Sequence, residues 1–186
     1  MGLIMLWDTR GMARRVVLIR AINVGGTAKL PMADLREIAA SLGASDVSTY
    51  IASGNLLCVP PGDPARFDRA LESAIEARFG FFREVISRSV SELETAVAAH
   101  PFEVIDEKFS YLYPLTAIPG PERVRDFAAR SFGDDRFAVI GDNLHIRYAG
   151  GAGTSTLTPP AIARALGVTG TGRNLRTVAK LIALAG

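Results

Sequence analysis

The stretch VSTYIASGNLLCV, residues 47–59, decides the fold. Two strand-type runs flank Ser53, Gly54 and Asn55, and Gly and Asn accept the positive φ of tight turns, so the stretch predicts a β-hairpin. Upstream, VVLIR (16–20) is a short apolar run of strand type. A helix then opens at Pro31, with Met32, Leu35, Ile38, Ala39 and Leu42 at helical spacing until Gly43. Downstream, Asp63 before Pro64 is a helix start, and Phe67, Leu71, Ala74, Ile75 and Arg78 trace an amphipathic helix to Gly80. FFREVISR (81–88) supplies another strand. The order from 16 to 88 is βαββαβ, the split βαβ arrangement of ferredoxin-like domains.

The second half echoes the first. Ser89 with Glu92 forms a capping box for a short helix that stops by Pro101. FSYLYPL (109–115) reads as a strand, 121–132 as a helix, and DRFAVIGDNLHIRY (135–148) as a hairpin around Gly141, Asp142 and Asn143. Thr158 before Pro159 caps a helix to Leu166, and Asn174 caps a last helix whose Leu175, Val178 and Ile182 face inward. The expected architecture is α+β: two similar ferredoxin-like subdomains, 12–88 and 89–186, packed as one unit. The leader MGLIMLWDTRG (1–11) places Asp8 and Arg10 where a secretory signal needs small residues, and it reads as a disordered or mis-assigned extension.

With 186 residues, 48% of them hydrophobic, the chain buries roughly 70% of its unfolded surface. Its apolar runs fall short of the roughly 20 residues that span a bilayer, and the single Cys58 excludes an internal disulfide framework, so a cytoplasmic setting is expected. Net charge is +2, unevenly spread: residues 1–33 hold five basic side chains against one acidic, and residues 161–186 hold four against none. Both ends are basic and the middle is acidic, which makes a cationic patch if the ends meet.

LIRAINVGG (18–26), KLPMADLREIAASLG (29–43), VSTYIASGN (47–55) and TGRNLRTVAKL (171–181) together resemble the bacterial family called domain of unknown function 1697. The resemblance implies a fold of two related α+β subdomains and no established reaction. Its recurrent positions fall on Arg20, Asn23, Gly25, Gly26, Ser53, Gly54, Asn55, Arg173 and Asn174, which become the candidate ligand-binding residues. It also implies Gly where Ala21 stands, Gln at Ala52, Trp at Leu175, and Arg and Lys around the serine of Thr154, Ser155 and Thr156.

From the residues themselves, Gly25 and Gly26 let backbone amides approach an anion, with Arg20 or Lys29 adding charge and Asn23 a directional amide. The competing reading is a left-handed turn in which Asn23 bonds backbone. GGAGTST (150–156) and GTGRNL (170–175) complete neither G-x-G-x-x-G nor a P-loop, and the second reads as a link between two helices. Arg176 and Lys180 read as a solvated helix face. His100 and His145 have no spacing expected of metal ligands, Cys58 reads as a buried inert thiol, and Ser53 lacks a local histidine. No pattern points to a cofactor, and whether the chain is an enzyme stays open.

The leading expectation is a cytosolic protein that binds a small anionic ligand, phosphorylated or nucleotide-like, in a cleft between the subdomains. Arg20 and Arg173 would neutralise it, Asn23, Asn55 and Asn174 orient it, and Gly25, Gly26 and Gly54 admit backbone. The alternative is a nucleic-acid-binding or protein-interaction module, drawing on Tyr50, Phe81, Phe82, Tyr111, Tyr113 and Tyr148 as sheet aromatics.

Overall fold

A computed structural model describes residues 13–26 and 28–186. The leader therefore lies outside the described residues. The elements are β1 (Arg15–Ile19), α1 (Met32–Ser41), β2 (Ser45–Thr49), β3 (Asn55–Val59), α2 (Pro64–Phe79), β4 (Val85–Ser89), α3 (Val90–Ala98), β5 (Ser110–Pro114), α4 (Pro121–Ala128), β6 (Arg136–Ile140), β7 (Asn143–Arg147), α5 (Pro159–Leu166), β8 (Arg173–Asn174) and α6 (Leu175–Ala185). They build a mixed α+β fold with two four-stranded antiparallel sheets, ordered β2-β3-β1-β4 and β6-β7-β5-β8. Each sheet places its first and third strands at the centre, so one connection pattern is used twice.

Local chemistry sets most boundaries. Asp63 accepts a hydrogen bond from the Arg66 amide at 2.8 Å, Pro64 fixes φ in the first turn, and Gly80 closes α2 at φ 74°. The Ser89–Glu92 capping box forms in both directions, 3.1 and 2.6 Å. Thr158 stands at the start of α5 but makes no side-chain cap bond, so Pro159 alone pre-sets that turn. The hairpin turn of residues 50–54 is longer than a two-residue turn, and residues 81–84 precede the strand predicted to begin with them. The main omission is β8: residues 173–174 pair with Tyr111 and Leu112 of β5 instead of merely joining two helices.

Three apolar clusters fill the molecule. The first lies between α1, α2 and one face of the first sheet, through Val17, Ile19, Leu35, Leu56, Leu71 and Ile75. The third lies between α4, α5 and the second sheet, around Tyr113, Phe127, Leu144, Ile146 and Ile162. Between them, Val16, Leu18 and Leu57 on the other face of the first sheet pack with Leu93 of α3, with Leu175, Val178 and Leu181 of α6, and with Leu112 of the second sheet. Each fully buried side chain of this size contributes roughly 1.5–3 kcal/mol, so the middle cluster is a substantial joint between the halves.

Candidate functional site

The candidate residues gather where the start of β3, the end of β1 and β8 meet. Arg173 is 8% exposed, and its five N–H donors are all used. Nε donates to Asn55 Oδ1 at 2.6 Å. Nη1 donates to Thr171 Oγ1 and the Gly172 carbonyl, and Nη2 to the carbonyls of Ser53 at 2.8 Å and of Ile19 and Gly54 at 3.3 Å. The guanidinium thus bolts β8 of the second half to two loops of the first. Burial pushes it down to about 10, against the smaller opposing effects of Tyr113 and Tyr111, so it stays charged at neutral pH.

Asn55 and Ser53 complete this bolt. Asn55, fully buried, donates to the Tyr50 carbonyl and to Ser53 Oγ, both at 3.0 Å, while its oxygen receives Arg173. Gly54 is required: at φ 79°, an added Cβ would stand 2.9 Å from the Ile19 carbonyl oxygen and from Ile22. Asn23, itself left-handed at φ 56°, donates to the carbonyls of Leu30 and Ala52 and accepts from the Leu30 amide. That is the turn role. Asn174 caps α6 through the Thr177 amide at 2.8 Å.

Gly25 and Gly26 remain open to solvent, whereas Arg20 is half-buried. An added Cβ on either glycine would meet nothing within 4 Å. Arg20 pairs with Glu84 at 3.1 Å, and its Nε has no partner among the described residues. Burial raises Glu84, but backbone hydrogen bonding and Arg20 outweigh it and hold its carboxyl below the usual range. Arg20, Ala21, Tyr113 and the Gly170–Arg173 segment enclose a hollow of about 210 Å³ between the halves. Burial pushes the Tyr113 hydroxyl up to about 12 despite Arg20 and Arg173 beside it, so it is a hydrogen-bond donor at neutral pH. Its ring lies against bare backbone, since a Cβ on Gly170 would fall 2.6 Å from Cε1 and one on Gly172 2.7 Å from Cδ2.

Sequence reasoning missed Tyr113, Glu84, Gly170 and Gly172 as site residues. Tyr113 reads as an ordinary strand aromatic, and only the spacing of Gly170 and Gly172 around Thr171 signals a close approach. Backbone strain concentrates at the same loops: of the five non-glycine residues with positive φ among the described residues, Ala21, Asn23, Ala28 and Ile51 lie in the two loops that Arg173 and Asn23 tie down. Ala21, at φ 47°, stands where the family resemblance implies glycine.

The two histidines, unrelated in sequence, meet in space. Their Nδ1 atoms are 3.2 Å apart, so one donates and the other accepts, and both Nε2 atoms are buried without a partner. Burial, then His100, pushes His145 down to about 4. Among the described residues no group of three or more His, Cys, Asp or Glu could hold a metal ion, and Cys58 is pushed up to about 12, chiefly by burial. Of the sheet aromatics, Tyr113 and Tyr148 are core residues, and Tyr50, Tyr111 and Phe81 pack partly buried against the clusters. Phe82 is exposed. No helix among the described residues is long and apolar enough to cross a membrane.

No curated protein matches the chain. A solved structure of a conserved bacterial protein, SP0830 from Streptococcus pneumoniae, is similar with a TM-score of 0.69 at 19% identity, covering 94% of this chain and 99% of that one. At that identity the likeness shows the fold alone. A family model described as protein of unknown function (DUF1697) matches residues 12–145, and the chain therefore belongs to that family.

Proposed function

We propose that this is a cytoplasmic protein that binds a small anionic group, part of a phosphorylated or nucleotide-like ligand, between two ferredoxin-like subdomains spanning 12–88 and 89–186. The repeated strand order supports the subdomain reading. The observation that carries the ligand class is the charge of the hollow. Arg20 and Arg173 approach it against Glu84 alone, and every hydrogen-bond partner of Arg173 is a neutral oxygen. A buried cation without a carboxylate favours an incoming anion.

The chemistry assigns different work to the candidates. The Arg20 guanidinium and Tyr113 border the hollow and are the groups assigned to the anion. Arg173 supplies charge at a distance while its hydrogen bonds hold the walls, and Asn55, Ser53, Gly54, Asn23 and Asn174 fix those walls. At about 210 Å³ the hollow is smaller than the roughly 300–1,000 Å³ of drug-sized sites, so it seats a phosphate-sized head. Gly25 and Gly26 do not border this hollow; Gly26 lines a separate one with Asn23, Lys29 and Ala52. The nucleic-acid alternative is weakened because the aromatics it needs are largely packed in the clusters.

A thermal-shift series with inorganic phosphate, sugar phosphates and nucleotides tests the reading. A ligand at 100 times its dissociation constant adds about 2.7 kcal/mol. The shift is expected to vanish in Arg20→Gln and shrink in Tyr113→Phe. An undiminished shift in Arg20→Gln would place the ligand elsewhere.

A further inference from the structure

β4, the start of α2 and residues 115–116 border a second hollow of about 400 Å³ that shares no lining residue with the first. Its charged residues are Arg15, Arg88, Asp63, Asp68, Glu92 and Asp142, two cations against four carboxylates. The cations are already committed: Arg15 to Glu92 at 3.1 Å and Arg88 to Asp142 at 2.7 Å. Arg69, beside Asp68 in sequence, is taken by Glu72 at 2.8 Å and by the Val85 carbonyl.

Asp68 is the exception in this arrangement. It is 6% exposed, and Oδ2 accepts from the Ser87 amide at 3.1 Å and the Ser87 hydroxyl at 2.9 Å. Oδ1 has no partner at all among the described residues. Burial pushes the carboxyl up to about 6, above the usual carboxylate range yet still ionised at pH 7.5, in spite of Ser87 and the charges of Arg69 and Arg15. A buried carboxylate with one oxygen fixed and the other unmatched is held in an unfavourable state that a donor group relieves. Arg15 borders the same hollow, and its buried Nε is likewise unpartnered among the described residues.

We propose that this hollow is a binding site for a small primary amine, whose ammonium group donates to Asp68 Oδ1 and whose neighbouring hydroxyl, where present, accepts from Arg15 Nε. An ammonium fits better than a metal ion, because among the described residues no three ligating side chains converge here. The site is independent of the anion cleft: its ligand has the opposite charge and its residues are different.

The test is calorimetric titration of the full chain at pH 7.5 with ethanolamine and with putrescine, at fixed ionic strength, with 1,4-butanediol and magnesium chloride as controls. Saturable binding of the amines, none of the diol, an at least tenfold loss in Asp68→Asn and no loss in Arg20→Gln is the expected result. Equal response to magnesium would mean screening of an acidic surface and would overturn the proposal, as would amine binding unchanged in Asp68→Asn. Should Asp68→Asn fold poorly, the parent's Ser87 amide resonance decides: ethanolamine is expected to move it and phosphate to leave it in place, and an unmoved resonance overturns the proposal.

Discussion

The two sheets repeat one strand order and are filled by different chemistry. The first half packs aliphatic residues on both faces of its sheet, with Phe67 the one aromatic among the buried residues of its outer cluster. The second half builds its outer cluster on rings: Phe127, Phe132 and Phe137 lie within 6.0 Å of each other centroid to centroid, and Tyr111 meets Tyr148 edge to face. The connection pattern therefore tolerates either filling, because it depends on which faces are apolar and where turns fall. Strain divides them more sharply. Every non-glycine residue with positive φ among the described residues lies in the first half, while the second contributes Arg173, which holds the 50–54 turn and the end of β1.

The sharpest way to break this division of labour is Arg173→Leu. It strips donors from Asn55 Oδ1 and from the carbonyls of Ile19, Ser53 and Gly54, and leaving a buried neutral acceptor unsatisfied costs about 1–3 kcal/mol. Urea unfolding is expected to show a loss of unfolding free energy of at least that size. A loss under about 1 kcal/mol, the scale of an exposed pair, would mean the halves are joined by the middle apolar cluster alone.

A smaller effect separates the halves by pH. Asp68, in the first half, is raised to about 6, so its folded form holds a proton that the unfolded chain releases near 4; stability from this group is present below that and is lost as pH rises through about 6. His145, in the second half, is depressed to about 4, so its contribution is present above about 6.5 and is lost as pH falls through about 4. The two slopes oppose. Relative to the parent, Asp68→Asn is expected to gain stability as pH goes from 4 to 6 and then level off, whereas His145→Asn loses ground over 4 to 6.5. Melting curves across that range check both, and parallel curves for either variant would show its group to be unshifted.

The smallest expected change is a gain. Ala21, at φ 47°, carries the Cβ penalty of a left-handed residue, and Ala21→Gly relieves it against the extra chain entropy of glycine. A stabilisation of roughly 0.5–1 kcal/mol is expected in the same unfolding assay, and a loss would show that the loop holds Ala21 without strain.

Much of this fold was legible in residues close together in sequence. The start and end of α2 follow from Asp63, Pro64 and Gly80, the capping box from Ser89 and Glu92, and the second hairpin from Gly141 and Asp142, because caps and turns act over three or four positions. Asn174 was legible as a cap for the same reason. The strand β8 was not, since two residues carry no period and its pairing with β5 is a long-range contact. Nor was the use of Arg173 as a bolt, whose partners Asn55 and Ile19 lie 118 and 154 positions away. The same holds for the meeting of His100 with His145 and for the unmatched oxygen of Asp68. Sequence alone determined the family, through its motif blocks, and every element but β8, through local periodicity and capping. Which charges were left unpaired, and which glycines a ring needed, was decided only when distant segments packed and excluded water from the groups between them.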